Sequence, residues 1–96
     1  MATALARKVA TKVFTDDLGF TVVRYHDTDI VKVSENYIEL NTGGWFTLTT
    51  KRRMNQVSSA YNLGFYVYQL NGSWYAKLDE VRYRFNGRKV VIKRGN

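Results

Sequence analysis

Residues 41–64, NTGGWFTLTTKRRMNQVSSAYNLG, decide the fold because they contain the one segment of the sequence with convincing helical periodicity. A narrow face of this segment collects Thr50, Met54, Val57 and Tyr61. Thr47 or Thr49 is expected to cap the start of the helix, and Gly64 is expected to supply the left-handed residue at its end. The sequence therefore predicts a helix over about residues 47–62.

Alternating polarity before this helix predicts strands. Residues 8–15 are expected to form the first strand, with a helix as the open alternative because Val9 and Val13 also fit helical spacing. Residues 20–25 predict a central strand, since both of its faces are partly apolar.

A first hairpin is predicted for residues 29–42, with its turn at Glu35 and Asn36. The register pairs Val33 with Ile38 and Val31 with Leu40 on the buried face. It also sets Lys32 opposite Glu39, which predicts an exposed ion pair between them.

Two further hairpins are predicted after the helix, each with an Asn-Gly turn. In residues 65–78 the turn is Asn71–Gly72, and the expected core face is Phe65, Val67, Trp74, Ala76 and Leu78. In residues 81–93 the turn is Asn86–Gly87, and the register sets Arg84 opposite Lys89. Together these patterns predict an α+β fold in which one helix packs on a twisted, mostly antiparallel sheet of six to eight short strands. Trp45 is expected to be a core anchor, with a stacking residue as the alternative.

Composition limits the function. The 96 residues form one expected domain, 1–96, with a net charge of +7 and an isoelectric point near 9.9, which suits a partner rich in phosphate or carboxylate. The absence of cysteine excludes disulfides and cysteine metal sites. Neither a secretion signal nor an apolar run long enough for a membrane helix is visible, so we expect a cytoplasmic protein without membrane contact.

An anion site is one interpretation of the predicted helix start. Three cations, Lys51, Arg52 and Arg53, lie in the first two turns, where the helix dipole disfavours them. An anion held by backbone N–H groups and hydroxyls would relieve this, and the residues expected to hold it are Gly43, Gly44, Thr47, Thr49 and Thr50. The alternative is that the three cations fan out around the helix and are solvated.

Outward positions of the last two hairpins combine aromatic and basic residues, which is typical of nucleic-acid binding. With the cations at the helix start, the candidate contacts are Lys51, Arg52, Arg53, Tyr66, Tyr68, Tyr75, Lys77, Arg82, Arg84, Lys89 and Lys93. The alternative is that the helix packs over the tyrosines and buries them.

Catalytic chemistry has one weak candidate, the cluster of His26, Asp27 and Asp29 between two predicted strands. Such groups can hold a metal ion, but they are also ordinary turn residues. We expect no enzyme activity, no metal and no cofactor.

Three runs, RYHDTDIV, YIELNTGGWFTLTTKRRMNQ and GFYVYQLNGSWY, resemble small uncharacterised proteins of bacteriophages and related environmental viruses. The resemblance covers about residues 24–75 and is most specific in LNTGGW and TTKRRMNQ. It implies a viral protein in the host cytoplasm and assigns no activity.

Three hypotheses of function follow. The first is a non-enzymatic accessory protein that binds nucleic acid, DNA or RNA. The second is a viral inhibitor that docks on an acidic surface of a host defence or transcription protein. The third is a self-assembling structural protein, and a monomer or a small homo-oligomer fits the first two.

Overall fold

The computed structural model describes residues 11–94, and one helix separates two groups of four strands. The elements are β1 (Thr11–Thr15), β2 (Thr21–Tyr25), β3 (Thr28–Val33), β4 (Tyr37–Asn41), α1 (Leu48–Ala60), β5 (Tyr66–Leu70), β6 (Ser73–Leu78), β7 (Val81–Arg84) and β8 (Lys89–Lys93). The α+β class, the order of strands, helix and strands, and the strand interpretation of residues 11–15 are thus confirmed. Residues 8–10 of the predicted first strand lie outside the described residues.

Within residues 11–94, eight strands form two sheets, and every pairing between them is antiparallel. The larger sheet has the order β1-β2-β3-β4-β8, and the smaller has the order β5-β6-β7. Apolar residues from both sheets and from α1 meet in one core, which includes Val31, Ile38, Leu40, Met54, Val67, Ala76 and Ile92. The predicted number of strands is confirmed, but they do not form a single sheet.

The division between the sheets falls where the third hairpin was predicted. β7 pairs with β6, and β8 pairs with β4. Asn86 and Lys89 exchange two backbone hydrogen bonds, at 2.8 and 3.4 Å, and beyond this pair the strands separate. The predicted pairing of Arg84 with Lys89 is therefore wrong, because β8 instead buries Val90 and Ile92 against β4, and the like charges are kept from facing each other.

The other two hairpins have the predicted registers. β3 and β4 pair Val31 with Leu40 and Val33 with Ile38, and β5 and β6 are joined by a turn at Asn71 and Gly72, both with positive φ. The predicted ion pair between Lys32 and Glu39 is wrong. Although the two residues are opposite, Lys32 lies 3.8 Å from Asp16, and Glu39 lies 3.2 Å from Lys89.

The ends of α1 are set by specific caps. Thr47 Oγ1 accepts a hydrogen bond from the backbone N–H of Thr50, so Thr47 is the N-cap as predicted. At the other end, the left-handed residue is Asn62, with φ 55°, while the N–H of Leu63 donates to the carbonyl of Ser58 at 2.8 Å. Gly64 also has a positive φ, 86°, but Asn62, two residues earlier, is the left-handed residue that ends the helix, so the role predicted for Gly64 is wrong.

Side chains of α1 cover the outer edge of β5. The Asn55 amide donates to the carbonyl of Val67 at 2.9 Å and accepts from its N–H at 2.7 Å, and Ser58 Oγ donates to the carbonyl of Phe65 at 2.7 Å. Thr50, Met54 and Val57 are buried, whereas Tyr61 is 38% exposed because the helix ends before it. Within residues 11–94, no helix has the length and apolarity needed to cross a membrane.

Trp74 is a core residue, 5% exposed, and its ring has edge contacts with Phe46 and Phe85 at 5.4 and 5.8 Å between ring centroids. Trp45, the predicted anchor, is 66% exposed. That prediction is wrong because Gly43 and Gly44, both with positive φ, reverse the chain and turn Trp45 outward.

Candidate nucleic-acid interface

The three-stranded sheet presents one face to the core and the other to solvent. Strand alternation buries Phe65, Val67, Trp74, Ala76 and Leu78 on the inner face, as predicted. The outer face carries Tyr66, Tyr68, Tyr75, Lys77, Arg82 and Arg84. We call this set the tyrosine–arginine face.

Three tyrosines form a ladder across β5 and β6. The rings of Tyr66 and Tyr68 are stacked with centroids 6.1 Å apart and planes inclined by 18°. Tyr68 stands directly opposite Tyr75, with centroids 5.6 Å apart and planes inclined by 27°. Because the rings stack on one another, each covers part of its neighbour's face, and the ring with the most open surface is that of Tyr66.

Cations border this ladder on the β7 side. The Arg82 guanidinium lies over the ring of Tyr75 at 4.7 Å, and Arg84 stands opposite Tyr75 on the neighbouring strand. Lys77 stands opposite both Tyr66 and Arg82 and has one distant acidic neighbour, Glu80, at 3.8 Å. Positive charge is thus fixed beside the aromatic surfaces.

The helix does not cover the tyrosine–arginine face, because α1 packs along the edge of β5 through Asn55 and Ser58. Tyr66 is 61% exposed, while Tyr68 and Tyr75 are half-buried by each other and their neighbours. The alternative in which the helix buries the tyrosines is therefore wrong.

Two of the predicted contacts lie elsewhere. Lys89 and Lys93 belong to β8 in the five-stranded sheet, and Lys89 is paired with Glu39. The break between β7 and β8 therefore places them on a different surface from the tyrosines.

The three cations of α1 point to different neighbours. Lys51 Nζ donates to Gln69 Oε1 at 3.1 Å and lies 5.3 Å from the centre of the Trp74 ring. Arg53 lies over the ring of Tyr25 at 5.0 Å and donates to Gln56, whereas Arg52 is exposed. The described structure thus spreads these charges around the helix and does not gather them at its start.

Residues of the predicted anion site border a cavity of about 400 Å³ beside the start of α1. It is lined by Tyr25, His26, Asp27, Thr28, Ile30, Thr42, Trp45, Thr47, Thr49 and Thr50. The N–H groups of Gly43 and Gly44 donate internally, to Asn41 Oδ1 and Thr42 Oγ1, so they do not face the cavity as free donors. Asp27 adds negative charge to the cavity wall, which disfavours an anion there.

The cluster with catalytic residue types is a hairpin turn. His26 and Asp27 connect β2 to β3, and His26 has φ 57°. Asp29 accepts two hydrogen bonds from Arg24, and this bonding raises the pKa of the Arg24 guanidinium. Among residues 11–94, no three His, Asp or Glu side chains are grouped so that they could hold a metal ion.

The comparison with protein families matches the model described as Kyanoviridae Gp96 protein over residues 2–91. The chain belongs to this family. As a member of the Kyanoviridae Gp96 family it is a bacteriophage protein, which confirms the viral setting implied by the sequence resemblance. The chain matches no curated protein and no solved structure.

Proposed function

We propose that this protein is a viral accessory protein that binds single-stranded nucleic acid, without catalysing a reaction, through the tyrosine–arginine face. The observation that carries the proposal is the ladder of Tyr66, Tyr68 and Tyr75, exposed at Tyr66 and half-buried at the other two rings, with Arg82 against Tyr75. Stacking of a base on an aromatic ring contributes about 1–3 kcal/mol per base and tolerates any base sequence.

The geometry favours single strands over a duplex. Base planes are accessible for stacking only where bases are unpaired, and the exposed ring of Tyr66 is where the ladder can accept one. The neighbouring cations, Lys77, Arg82 and Arg84, are all exposed and can contact phosphates without displacing the rings. Phosphate contacts position a strand without reading its sequence, so weak base preference is expected.

Fluorescence anisotropy of a labelled single-stranded oligonucleotide at several salt concentrations tests the proposal. If the three cations each contact a phosphate, log K against log[salt] should have a slope of about −2, from 0.7 per contact. The same oligonucleotide annealed to its complement is the matched control and should bind more weakly. Absence of binding at low salt, or a preference for the duplex, would contradict the proposal.

Docking on a host protein is the second candidate, and a different observation favours it. Trp45, Phe46 and Leu48 are large apolar residues within four positions at the start of α1, and all three are exposed. A host protein retained by the immobilised chain after nuclease treatment, and lost with a Trp45→Ser and Leu48→Ser double variant, would support this candidate. A captured protein that disappears with nuclease would be explained by nucleic acid.

A further inference from the structure

A groove of about 480 Å³ lies between β7 and β8, where the hairpin opens. Its lining residues are Tyr83, Arg84, Asn86, Lys89, Val90 and Val91. An Asn-Gly turn between alternating strands usually closes a complete hairpin, but here the ladder stops at the pair of Asn86 and Lys89. A strand pairing that begins and is then interrupted leaves two strand edges beside one groove.

The backbone hydrogen bonds of β8 show which of its groups face this groove. Thr42 N–H donates to the Arg88 carbonyl, and Arg94 N–H donates to the Asn36 carbonyl, both at 2.8 Å. In an antiparallel ladder, the residues that bond to the partner strand alternate with those that point away. The backbone N–H and C=O groups of Lys89 point away from β4, toward Asn86. By the same alternation, the N–H and C=O groups of Val91 and Lys93 also point away from β4.

The same reasoning applies to β7. Phe85 N–H donates to the Trp74 carbonyl of β6 at 3.0 Å, so the alternate residues Arg82 and Arg84 direct their backbone groups away from β6. Within residues 11–94, neither outer edge is paired beyond the single bridge between Asn86 and Lys89. Unpaired edges of this kind are templates for another strand.

Charge and polarity indicate what the added strand is. Arg84 and Lys89 line the groove, and Lys93 lies further along β8. Of these three cations, Lys89 is the one paired with a carboxylate, that of Glu39. The inward side of the groove is apolar, with Tyr83 and the buried Val90. A strand that alternates acidic and β-branched residues would face the cations with one set of side chains and the apolar wall with the other.

A second copy of this chain is a poorer occupant. Antiparallel pairing of β8 with another β8 would bring the lysines of one copy near those of the other, and like charges on neighbouring strands are destabilising. Val91 lies between Lys89 and Lys93 and is 52% exposed, so a negatively charged partner strand would also find an apolar contact there.

We propose that the outer edge of β8 binds an extended, acidic segment of a partner protein by strand addition, with Val91 and Lys93 supplying the backbone hydrogen bonds. This site is separate from the tyrosine–arginine face and does not depend on nucleic-acid binding. The lysines on either side of Val91 would then have two effects, since they repel the same edge of another copy and attract an acidic strand.

The test uses the full chain and a fluorescent peptide of alternating glutamate and valine. The peptide should bind, its lysine–valine counterpart should not, and a version methylated on the backbone nitrogens of one edge should bind at least about tenfold more weakly. Methylation leaves charge and side chains in place, so equal binding of the methylated peptide would overturn strand addition in favour of charge attraction alone.

Two variants of β8 provide the matched protein control. Val91→Pro removes an N–H that is not used in pairing with β4, and proline is tolerated on a strand edge, so the fold should persist while peptide binding falls by about tenfold. Val91→Ala should retain peptide binding, and both variants should bind single-stranded DNA as the parent does. Equal peptide affinity of the two variants would overturn the proposal, as would a dimer in sedimentation that Val91→Pro dissolves. If Val91→Pro unfolds, the methylated peptide still decides the question.

Discussion

The ring of Tyr68 stacks on the ring of Tyr75, directly across the β5–β6 pair, with centroids 5.6 Å apart. Each ring restricts the other, and Arg82 restricts Tyr75 from the next strand at 4.7 Å. The ladder is therefore ordered before any ligand arrives, which lowers the entropy lost when a base stacks on it.

Tyr68→Ala should weaken binding of a single-stranded oligonucleotide by about 1–3 kcal/mol, because it removes the middle ring of the ladder. Tyr68→Phe keeps the ring and should bind almost as the parent does. The matched control is Tyr37→Ala, which removes an exposed tyrosine from β4 in the other sheet and should leave the affinity unchanged. Anisotropy titrations measure all three, and a similar loss in the Tyr37 variant would argue against the proposed face.

Arg82→Gln should flatten the salt dependence of binding by about 0.7 in the slope of log K against log[salt], since one phosphate contact is removed. The loss should be the same for oligonucleotides of different sequence. Lys12→Gln removes an exposed cation from β1 in the five-stranded sheet and serves as the control of equal charge. Equal slopes for the two variants would mean that net charge, and not the location of Arg82, drives binding.

Local turn chemistry explains which parts of the fold the sequence predicts well. The registers of β3–β4 and β5–β6 follow from short turns and alternation, and both are observed. The prediction of the third hairpin is wrong because the partner of β8 is β4, whose paired residues lie 48 to 56 positions earlier in the chain. Pairing over that distance depends on the burial of Val90 and Ile92, which the local pattern of residues 81–93 does not report.

The same contrast between local pattern and long-range strand pairing applies to the candidate site. Alternation within β5 and β6 is sufficient to place the three tyrosines on one face, but only the strand order shows that Arg82 and Arg84 join them. Lys89 and Lys93 have the same residue pattern and lie on another sheet. The core position predicted for Trp45 is wrong because the sequence indicates a turn at Gly43 and Gly44 but does not indicate the direction in which the following side chain points.

Asn55→Ala should destabilise the protein by roughly 1–3 kcal/mol for each backbone group of Val67 that loses its partner. The Asn55 amide bonds both the N–H and the carbonyl of this buried residue. Ser59→Ala, at an exposed position of the same helix, is the control and should change little. Urea denaturation measures both, and an effect below that of the control would show that water replaces the amide.

Gly43→Ala and Gly44→Ala should differ in cost although both glycines have positive φ. A Cβ at Gly44 meets open space, so Gly44→Ala should be destabilised only by the strain of a left-handed alanine, about 1–2 kcal/mol. A Cβ at Gly43 would overlap the side chain of Thr28, with Cγ2 at 2.8 Å, so that variant should be destabilised more. Adding Thr28→Ala should recover part of the difference in thermal unfolding, and full additivity would contradict the contact.

Arg52→Gln and Arg53→Gln should shift the free energy of unfolding in opposite directions. Arg52 is exposed near the start of α1, and removing its charge should stabilise by at most about 0.3–1 kcal/mol. Arg53 contacts the Tyr25 ring and Gln56, and its loss should destabilise by about 0.5–1 kcal/mol. Urea titrations of the two single variants decide this, and a stabilisation by Arg53→Gln would show that the Tyr25 contact contributes nothing.

A titration of the isotopically labelled chain with a short oligothymidylate, followed by amide and aromatic NMR shifts, tests the central claim most directly. The account predicts that the largest changes occur at Tyr66, Tyr68 and Tyr75 and at Arg82 and Arg84, and that they diminish as salt is raised. Shifts that centre on the outer surface of the five-stranded sheet, or no shifts at low salt, would contradict it.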